Sequence, residues 1–146
     1  MFRIGQLAKL AGVTPDTIRY YEKQGMMSHD VRTEGGYRLY TEQDLQRLKF
    51  IRYAKQLGFT LESIAELLSI RVEPEQHTCQ ESKSIVQSQL AVVERKLREL
   101  EHMRVSLQRL SDACCGSIHS SAYCSILEAL EHGATNELPR VDLRTK

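Results

Sequence analysis

Residues 4–25 read IGQLAKLAGVTPDTIRYYEKQG, and this stretch decides the fold of the N-terminal part of the chain. The apolar residues of its first half recur at helical spacing, which predicts a short helix; they are Ile4, Leu7, Ala8 and Ala11. Thr14 can cap a second helix, and Pro15 suits the first position of that helix. We expect the second helix to end at Gly25. Two short helices joined by a tight turn are typical of a helix-turn-helix.

A β-hairpin is predicted directly after the second helix. Residues 29–33 and 37–40 flank a Glu-Gly-Gly turn, and glycine allows the positive φ angles that tight hairpin turns need. Alternation places Arg38 and Tyr40 on one face of the second strand. A hairpin at this place would form the wing of a winged helix-turn-helix.

A long helix is predicted from about residue 75 to residue 112, because this stretch contains neither Gly nor Pro. Two shorter helices precede it, which Thr41 and Thr60 can cap. The apolar residues of the long helix alternate four and three positions apart, as in a coiled coil with one polar interruption. This seam consists of Val86, Leu90, Val93, Leu97, Leu100, Arg104 and Leu107. One helix cannot bury such a stripe alone, so we expect a homodimer with antiparallel helices; packing on the chain's own N-terminal domain is the alternative.

Composition excludes several classes of protein. The 146 residues contain 20 Lys and Arg against 19 Asp and Glu, so the net charge of +1 rules out a histone-like polycation. No apolar run approaches the roughly 18 residues of a membrane span. The N-terminus lacks the features of a signal peptide, so we expect a cytoplasmic protein without membrane contact. In that compartment the 4 cysteines are expected to be metal ligands or reactive thiols rather than disulfides.

The second helix and the hairpin carry the side chains that indicate DNA binding. On the helix these are Thr17, Arg19, Tyr20 and Tyr21, and on the hairpin Arg32, Arg38 and Tyr40. Arginine can bond base edges or phosphates, and tyrosine can donate to phosphate oxygens. On the alternative interpretation one tyrosine is core and the remaining side chains are solvated surface. Local positive charge favours DNA, because residues 32–55 contain six basic and three acidic side chains.

Four potential metal ligands lie within eleven residues after the long helix: Cys114, Cys115, His119 and Cys124. Thiolate and imidazole are the usual ligands of zinc. Adjacent cysteines rarely chelate one tetrahedral ion, because the ring that they would close is strained. We therefore expect two ions, one held by Cys114 with Cys124 and the other by Cys115 with His119, each needing further ligands.

Cys79 is the further ligand that the sequence offers. It precedes Cys114 by 35 residues, which is about 52 Å along a continuous helix, too far to reach the loop of its own chain. In an antiparallel helix pair, the start of one helix lies beside the end of its partner. Cys79 of one subunit can then bridge both ions in the loop of the other, and four thiolates balance two divalent cations. His77 is expected to be a surface residue.

Two longer stretches resemble the DNA-binding domain of the MerR family of transcription regulators. They are IGQLAKLAGVTPDTIRYYEKQGM and GGYRLYTEQDLQRLKFIRYAKQLGFTLESI, of which IRYYE and GYRLY are the most specific parts. HTCQESK before the long helix and ACCGSIHSSAYCSILEALEHGA after it resemble the zinc-responsive branch of that family. The resemblance covers about residues 1–133.

The resemblance implies a winged-helix dimer on a palindromic promoter with a long spacer. Bound metal would distort this DNA and so let RNA polymerase engage, and the chain would be no enzyme. The residues that match the family's DNA-contacting set are Arg19, Tyr20, Tyr37, Arg38 and Tyr40. Cysteine at position 79 resembles the branch that senses divalent metals.

The sequence therefore predicts a mainly α fold. We expect a winged helix-turn-helix domain at 1–70, a linker and dimerisation helix at 71–112, a metal-binding loop with a short helix at 113–133, and a disordered tail at 134–146. Zinc, cadmium, lead and mercury all bind thiolate, and the imidazole of His119 favours zinc. A thiol-redox sensor that uses Cys114 and Cys115 is the less favoured alternative. The predicted loop and short helix at 113–133 are too short for the apolar pocket of a multidrug sensor.

Overall fold

The computed structural model describes residues 1–28, 31–114, 116–118 and 124–132. The chain divides into two units, Met1–Val86 and Gln87–Lys146. The first unit contains α1 (Ile4–Ala11), α2 (Pro15–Lys23), β1 (Val31–Arg32), β2 (Arg38–Leu39), α3 (Glu42–Gln56), α4 (Leu61–Val72) and a short 3-10 helix (Pro74–Gln76). Helix α5 (Cys79–Ala113) begins in this unit and ends in the second, which also contains α6 (Ser125–Glu131).

The turn between α1 and α2 forms as the sequence predicts. Gly12 adopts φ 70° at the end of α1 and its N–H donates to the carbonyl oxygens of Ala8 and Lys9. Thr14 precedes α2, where its side chain accepts the N–H of Thr17 at 3.2 Å. The left-handed conformation is one that glycine adopts without the clash a side chain would cause. The helix-turn-helix is therefore fixed by local interactions at both sides of the turn.

The hairpin is shorter than predicted. Among the described residues, two of each strand pair, with Val31 opposite Leu39 and Arg32 opposite Arg38. Next to these pairs, the N–H of Thr33 donates to the carbonyl oxygen of Tyr37 at 2.8 Å, which closes the turn formed by residues 34–36. Residues 29 and 30, which were expected to begin the first strand, lie outside the described residues.

The hairpin is joined to the N-terminus by an isolated antiparallel bridge. The N–H of Phe2 donates to the carbonyl oxygen of Tyr40 at 2.7 Å, and the N–H of Tyr40 donates back at 2.8 Å. The first residues of the chain thus extend the wing as a third strand segment. This pairing holds the start of α1 beside β2.

The core of the first unit lies between its helices and Tyr40. Its largest fully buried side chains are Leu7, Ile18, Tyr40, Leu48, Ile51 and Ile64. Helix α3 begins with a reciprocal cap, in which Thr41 Oγ1 accepts the N–H of Asp44 at 3.2 Å and Asp44 Oδ2 accepts the N–H of Thr41 at 2.7 Å. Thr60 caps α4 through the N–H of Ser63 at 3.1 Å. Both caps were predicted from the sequence.

Helix α5 begins at Cys79 and not near residue 75, which corrects the sequence-based expectation. Pro74 starts a 3-10 helix instead, closed by a hydrogen bond of 3.1 Å from the N–H of Gln76 to the carbonyl oxygen of Glu73. Ile85 packs against the core of the first unit, so the first two turns of α5 belong to that unit. The first compact unit therefore includes residues 71–86, and the domain bounds expected from the sequence stay a prediction.

The predicted seam is exposed along the single chain. Its apolar members are between 38% and 62% exposed, and they are Val86, Leu90, Val93, Leu97, Leu100 and Leu107. No helix within the described ranges is long and apolar enough to cross a membrane. An exposed apolar row on a helix of 35 residues indicates a contact surface.

Substitution by alanine should affect stability differently at the two glycines of α1 and the turn that follows it. Gly12 has a left-handed backbone, which is unfavourable for alanine, and a Cβ there would lie 2.9 Å from Nη1 of Arg52. Gly12→Ala should therefore lower the free energy of unfolding by about 1–2 kcal/mol. Gly5 is helical and has open space around it, so Gly5→Ala should leave stability unchanged or raise it. Urea unfolding at one protein concentration measures both. Equal losses for the two variants would contradict the assigned turn.

Candidate nucleic-acid interface and metal centre

Helix α2 separates a buried face from an exposed face. Ile18 and Tyr21 are buried, whereas Arg19 and Tyr20 are exposed. Burial raises the pKa of the Tyr21 hydroxyl, with a smaller contribution from its neighbour Tyr20. Thr17 is half-buried. The exposed face therefore presents the side chains that the sequence assigned to DNA, and Tyr21 belongs to the core.

Arg19 and Thr17 are held by neighbours on the same turn. Arg19 Nη1 donates to Asp16 Oδ1 at 2.8 Å, and both side chains remain largely exposed. The hydroxyl oxygens of Thr14 and Thr17 lie 2.9 Å apart. An exposed ion pair of this kind adds little stability, but it limits the directions in which the guanidinium points.

A basic groove lies between the start of α1, α2 and the hairpin. It encloses about 580 Å³, and its charged and aromatic lining residues are Arg3, Arg19, Tyr37 and Arg38. The Arg3 guanidinium lies 5.4 Å from the centroid of the Tyr37 ring, within cation–π range. Tyr37 itself is 63% exposed. Three guanidinium groups in one concave surface suit a phosphate backbone.

Sequence reasoning missed Arg3. Arg3 lines the groove and contacts the Tyr37 ring, which lies 34 residues later in the chain, so local sequence does not reveal its position. The bridge between Phe2 and Tyr40 places the two chain segments side by side. A basic residue next to the first predicted helix was the only available signal.

Arg32 and Arg38 face each other across the hairpin, which places two positive charges at one cross-strand position. Like charges at such a position repel each other. Arg32 Nη1 donates to the carbonyl oxygen of Gly36 at 3.4 Å, and Arg38 Nη1 donates to Glu22 Oε2 at 2.5 Å. The repulsion is thus offset by separate acceptors for the two guanidinium groups.

Tyr40 does not lie at the surface where the sequence placed it. Its side chain is completely buried, and its hydroxyl donates to Glu22 Oε1 at 2.5 Å. Burial raises the pKa of Tyr40 to about 12, and the hydrogen bond to Glu22 adds to the shift. The alternating pattern assigned Tyr40 to the correct face together with Arg38, but that face is turned toward α2. A direct DNA contact of Tyr40 does not fit this burial.

The potential metal ligands are thiols at the two ends of α5 and at the start of α6. Cys79 is exposed at the first position of α5, whereas Cys114 and Cys124 are half-buried. The N–H of Gly116 donates to Cys114 Sγ at 3.5 Å. Cys115 and His119 lie outside the described residues. Within those residues, no three Cys, His, Asp or Glu side chains come together to hold an ion.

The donor set is nevertheless suited to a thiophilic divalent metal. Cys79, Cys114 and Cys124 are not joined in disulfides, and thiolate sulfur is a preferred ligand of zinc and of softer ions. The ring of His77 is held by the next turn of helix, because its Nδ1 lies 2.5 Å from Glu81 Oε2. The interaction with Glu81 is compatible with the surface role expected for His77.

Two family models match the chain. A model described as MerR HTH family regulatory protein matches residues 2–70, and one described as MerR, DNA binding matches residues 45–110. The HTH-type transcriptional regulator ZntR of Escherichia coli K12 is 74% identical over 135 residues, covering 92% of this chain and 96% of that protein. The HTH-type transcriptional regulator CueR of Escherichia coli O157:H7 is 39% identical over 127 residues, covering 87% and 92%.

A solved structure has the same fold over most of the chain. It is the transcription regulator PbrR691 from Ralstonia metallidurans CH34 in complex with lead(II), with a TM-score of 0.76 and 38% identity over 89% of this chain and 99% of that one. The mainly helical fold confirms the fold class expected from the sequence, and the relatives named above are transcriptional regulators. This chain belongs to the MerR family of DNA-binding transcriptional regulators.

Proposed function

We propose that this protein is a zinc-responsive transcriptional activator that binds promoter DNA as a homodimer. On binding divalent metal it would distort the promoter and so activate genes of metal export or resistance through RNA polymerase. The observation that carries the proposal is the 74% identity to the HTH-type transcriptional regulator ZntR over nearly the whole length of both proteins. The alternative is a sensor of another divalent soft metal, namely cadmium, lead or mercury, and it is supported by the similarity to PbrR691 in complex with lead(II).

Promoter contact is assigned to the exposed face of α2 and to the basic groove. Arg19, Tyr37 and Arg38 line that groove. The other residues assigned to DNA lie on α2 or on the hairpin, and they are Thr17, Tyr20 and Arg32. Phosphate contacts fix the register of such a domain, and base edges give it sequence preference. Tyr40 is assigned a positioning role instead of a contact, because it is buried.

Homodimer formation is supported by the exposed seam of α5. Leu97 and Leu107 are 59% and 62% exposed in the single chain. Burying these side chains against a second helix would add hydrophobic stabilisation. A groove on the same helix is lined by Leu100, Met103 and Leu107 and fits the side chains of a facing helix. We assign this surface to the α5 helix of a second copy in antiparallel orientation.

Two metal ions are proposed for each composite site. Cys114 with Cys124 would hold one ion, Cys115 with His119 the other, and Cys79 of the opposite subunit would bridge them. The unbroken helix between Cys79 and Ala113 supports this crossed arrangement, because 35 helical residues measure about 52 Å. When bound, divalent ions would supply the positive charge that holds thiolates of two subunits together.

Removing a DNA-contacting arginine should weaken promoter binding and spare metal binding. The probe is the duplex that the natural protein selects most tightly from a random-sequence pool. Arg19→Ala and Arg38→Ala should each raise the dissociation constant, and loss of a phosphate contact should reduce the salt slope by about one. Arg98→Ala is the matched control, since Arg98 is exposed on α5. Unchanged affinity and slope for both test variants would remove these residues from the interface.

A mixed dimer distinguishes crossed metal sites from sites within one chain. One chain carries Cys79→Ser and the other Cys115→Ser. If the sites are crossed, one site loses both ligands and the other stays intact, so the dimer should keep one tight site. If each site lies within one chain, both are impaired.

The reciprocal dimer is the control for this experiment. It combines a chain that carries both serines with an unchanged chain. Crossed sites are then both impaired, whereas sites within one chain leave one intact. Metal titration of the two dimers, purified with different affinity tags, measures the number of tight sites, and the opposite pattern would contradict the crossed arrangement.

Zinc should change transcription far more than it changes DNA affinity. Distorting a promoter spacer costs about 1–6 kcal/mol, and structural zinc sites supply roughly 10–16 kcal/mol. The dissociation constant and the yield of open complex are measured with zinc and with a chelator on a long-spacer promoter that contains the selected palindrome. A large loss of affinity with zinc, without additional open complex, would instead indicate release of a repressor.

A further inference from the structure

Glu22 is a buried carboxylate next to the basic groove. Its side chain is only 5% exposed, although it belongs to α2, whose other face is assigned to DNA. Burying a carboxylate is unfavourable unless it is paired and hydrogen-bonded. A negative charge at this position also lowers the attraction for phosphate. The presence of Glu22 therefore calls for an interaction that offsets both effects.

The two carboxylate oxygens of Glu22 are used by different partners on the hairpin. Oε2 accepts a hydrogen bond from Arg38 Nη1 at 2.5 Å, and Oε1 accepts one from the Tyr40 hydroxyl at 2.5 Å. Tyr40 is buried and its backbone pairs with Phe2, so its hydroxyl is a fixed donor. Tyr40 thereby orients the carboxylate that in turn contacts Arg38.

Arg38 lies between this carboxylate and the groove. Its side chain is 37% exposed and lines the groove beside Arg3 and Arg19. A guanidinium has five N–H donors in a fixed planar fork, so a bond to Glu22 leaves others for a phosphate. Arg32 opposes Arg38 across the hairpin, and its charge would otherwise repel the Arg38 guanidinium.

We infer that Glu22 is a positioning residue that holds the Arg38 guanidinium in the orientation in which its remaining N–H groups meet a DNA phosphate. Tyr40 supports Glu22 from the buried side. This inference rests on the DNA contact proposed for Arg38 and adds the residues that fix its geometry. Glu22 then raises promoter affinity although its negative charge repels the negatively charged phosphate.

Two substitutions at Glu22 separate geometry from charge. Glu22→Met has a similar length but cannot accept a hydrogen bond. Glu22→Gln removes the charge and keeps an acceptor, because its amide oxygen can face Arg38 while its NH2 group donates to the Tyr40 oxygen. Glu34→Gln is the matched control, since Glu34 is an exposed carboxylate on the same hairpin. It reports the effect of losing a negative charge near DNA.

The experiment measures the dissociation constant of the selected duplex for each variant of the full-length protein. Glu22→Met should weaken binding about tenfold, because the hydrogen bond that orients Arg38 is lost. Glu22→Gln should stay within about twofold of the natural protein. In an Arg38→Ala background, Glu22→Met should change affinity by less than about twofold, since Glu22 acts through Arg38.

Several results would overturn the inference. If Glu22→Met binds DNA as tightly as Glu34→Gln, Glu22 acts only as a charge, and the proposed function stands as long as Arg38→Ala still weakens binding. If Glu22→Met weakens binding equally without Arg38, Glu22 acts through another part of the domain. If Arg38→Ala has no effect, the proposed Arg38 contact and the inference both fail.

A second variant covers the case in which Glu22→Met does not fold. Glu22→Met leaves the Tyr40 hydroxyl buried without its acceptor Glu22, which is unfavourable. The double variant Glu22→Met/Tyr40→Phe removes that hydroxyl and leaves Arg38 unchanged. Thermal unfolding checks its fold, and its affinity should again be about tenfold lower than that of Tyr40→Phe alone. Equal affinities for these two variants would overturn the inference.

Discussion

Burial of Tyr40 is the constraint on which the DNA-binding surface depends. Its backbone pairs with Phe2, its ring lies in the core, and its hydroxyl donates to Glu22 of α2. One residue therefore connects the N-terminal segment, the hairpin and the helix that is assigned to DNA. Because these three segments line the basic groove, the spacing of its arginines follows from the position of Tyr40.

Charge in this protein acts through placement and not through amount. The chain carries a net charge of only +1. Two of the three groove arginines are paired with carboxylates: Arg19 with Asp16, and Arg38 with Glu22. Paired arginines attract DNA less at long range than unpaired ones, because the carboxylates cancel part of the field. They are, however, held in defined directions, which favours a fit to particular phosphate positions over non-specific attraction.

Local features of the fold could be predicted from the sequence, and features that depend on tertiary contacts could not. The caps Thr14, Thr41 and Thr60 act within a few residues of themselves, so the starts of α2, α3 and α4 were predictable. The start of α5 was placed too early, because helical residues after Pro74 form a 3-10 turn first.

The same distinction holds for the candidate site. Alternation gave the face of Tyr40 but not its depth, because depth depends on packing against α2. Arg3 was missed because a contact with Tyr37 brings it to the groove. The metal ligands inferred from ligand chemistry and spacing stay a prediction, because Cys115 and His119 lie outside the described residues.

The position of Cys79 connects the proposed metal site to the DNA-binding unit. Cys79 lies in the first two turns of α5, and Ile85 in these turns packs against the core that also contains α4. A groove lined by residues of both helices, among them Ile70 and Ile85, lies where α4 and the start of α5 adjoin. A partner subunit that contacts Cys79 through metal would therefore act directly on the unit that carries α2 and the hairpin. This arrangement explains how a site built from two chains could alter promoter geometry without any metal ligand in the DNA-binding helices themselves.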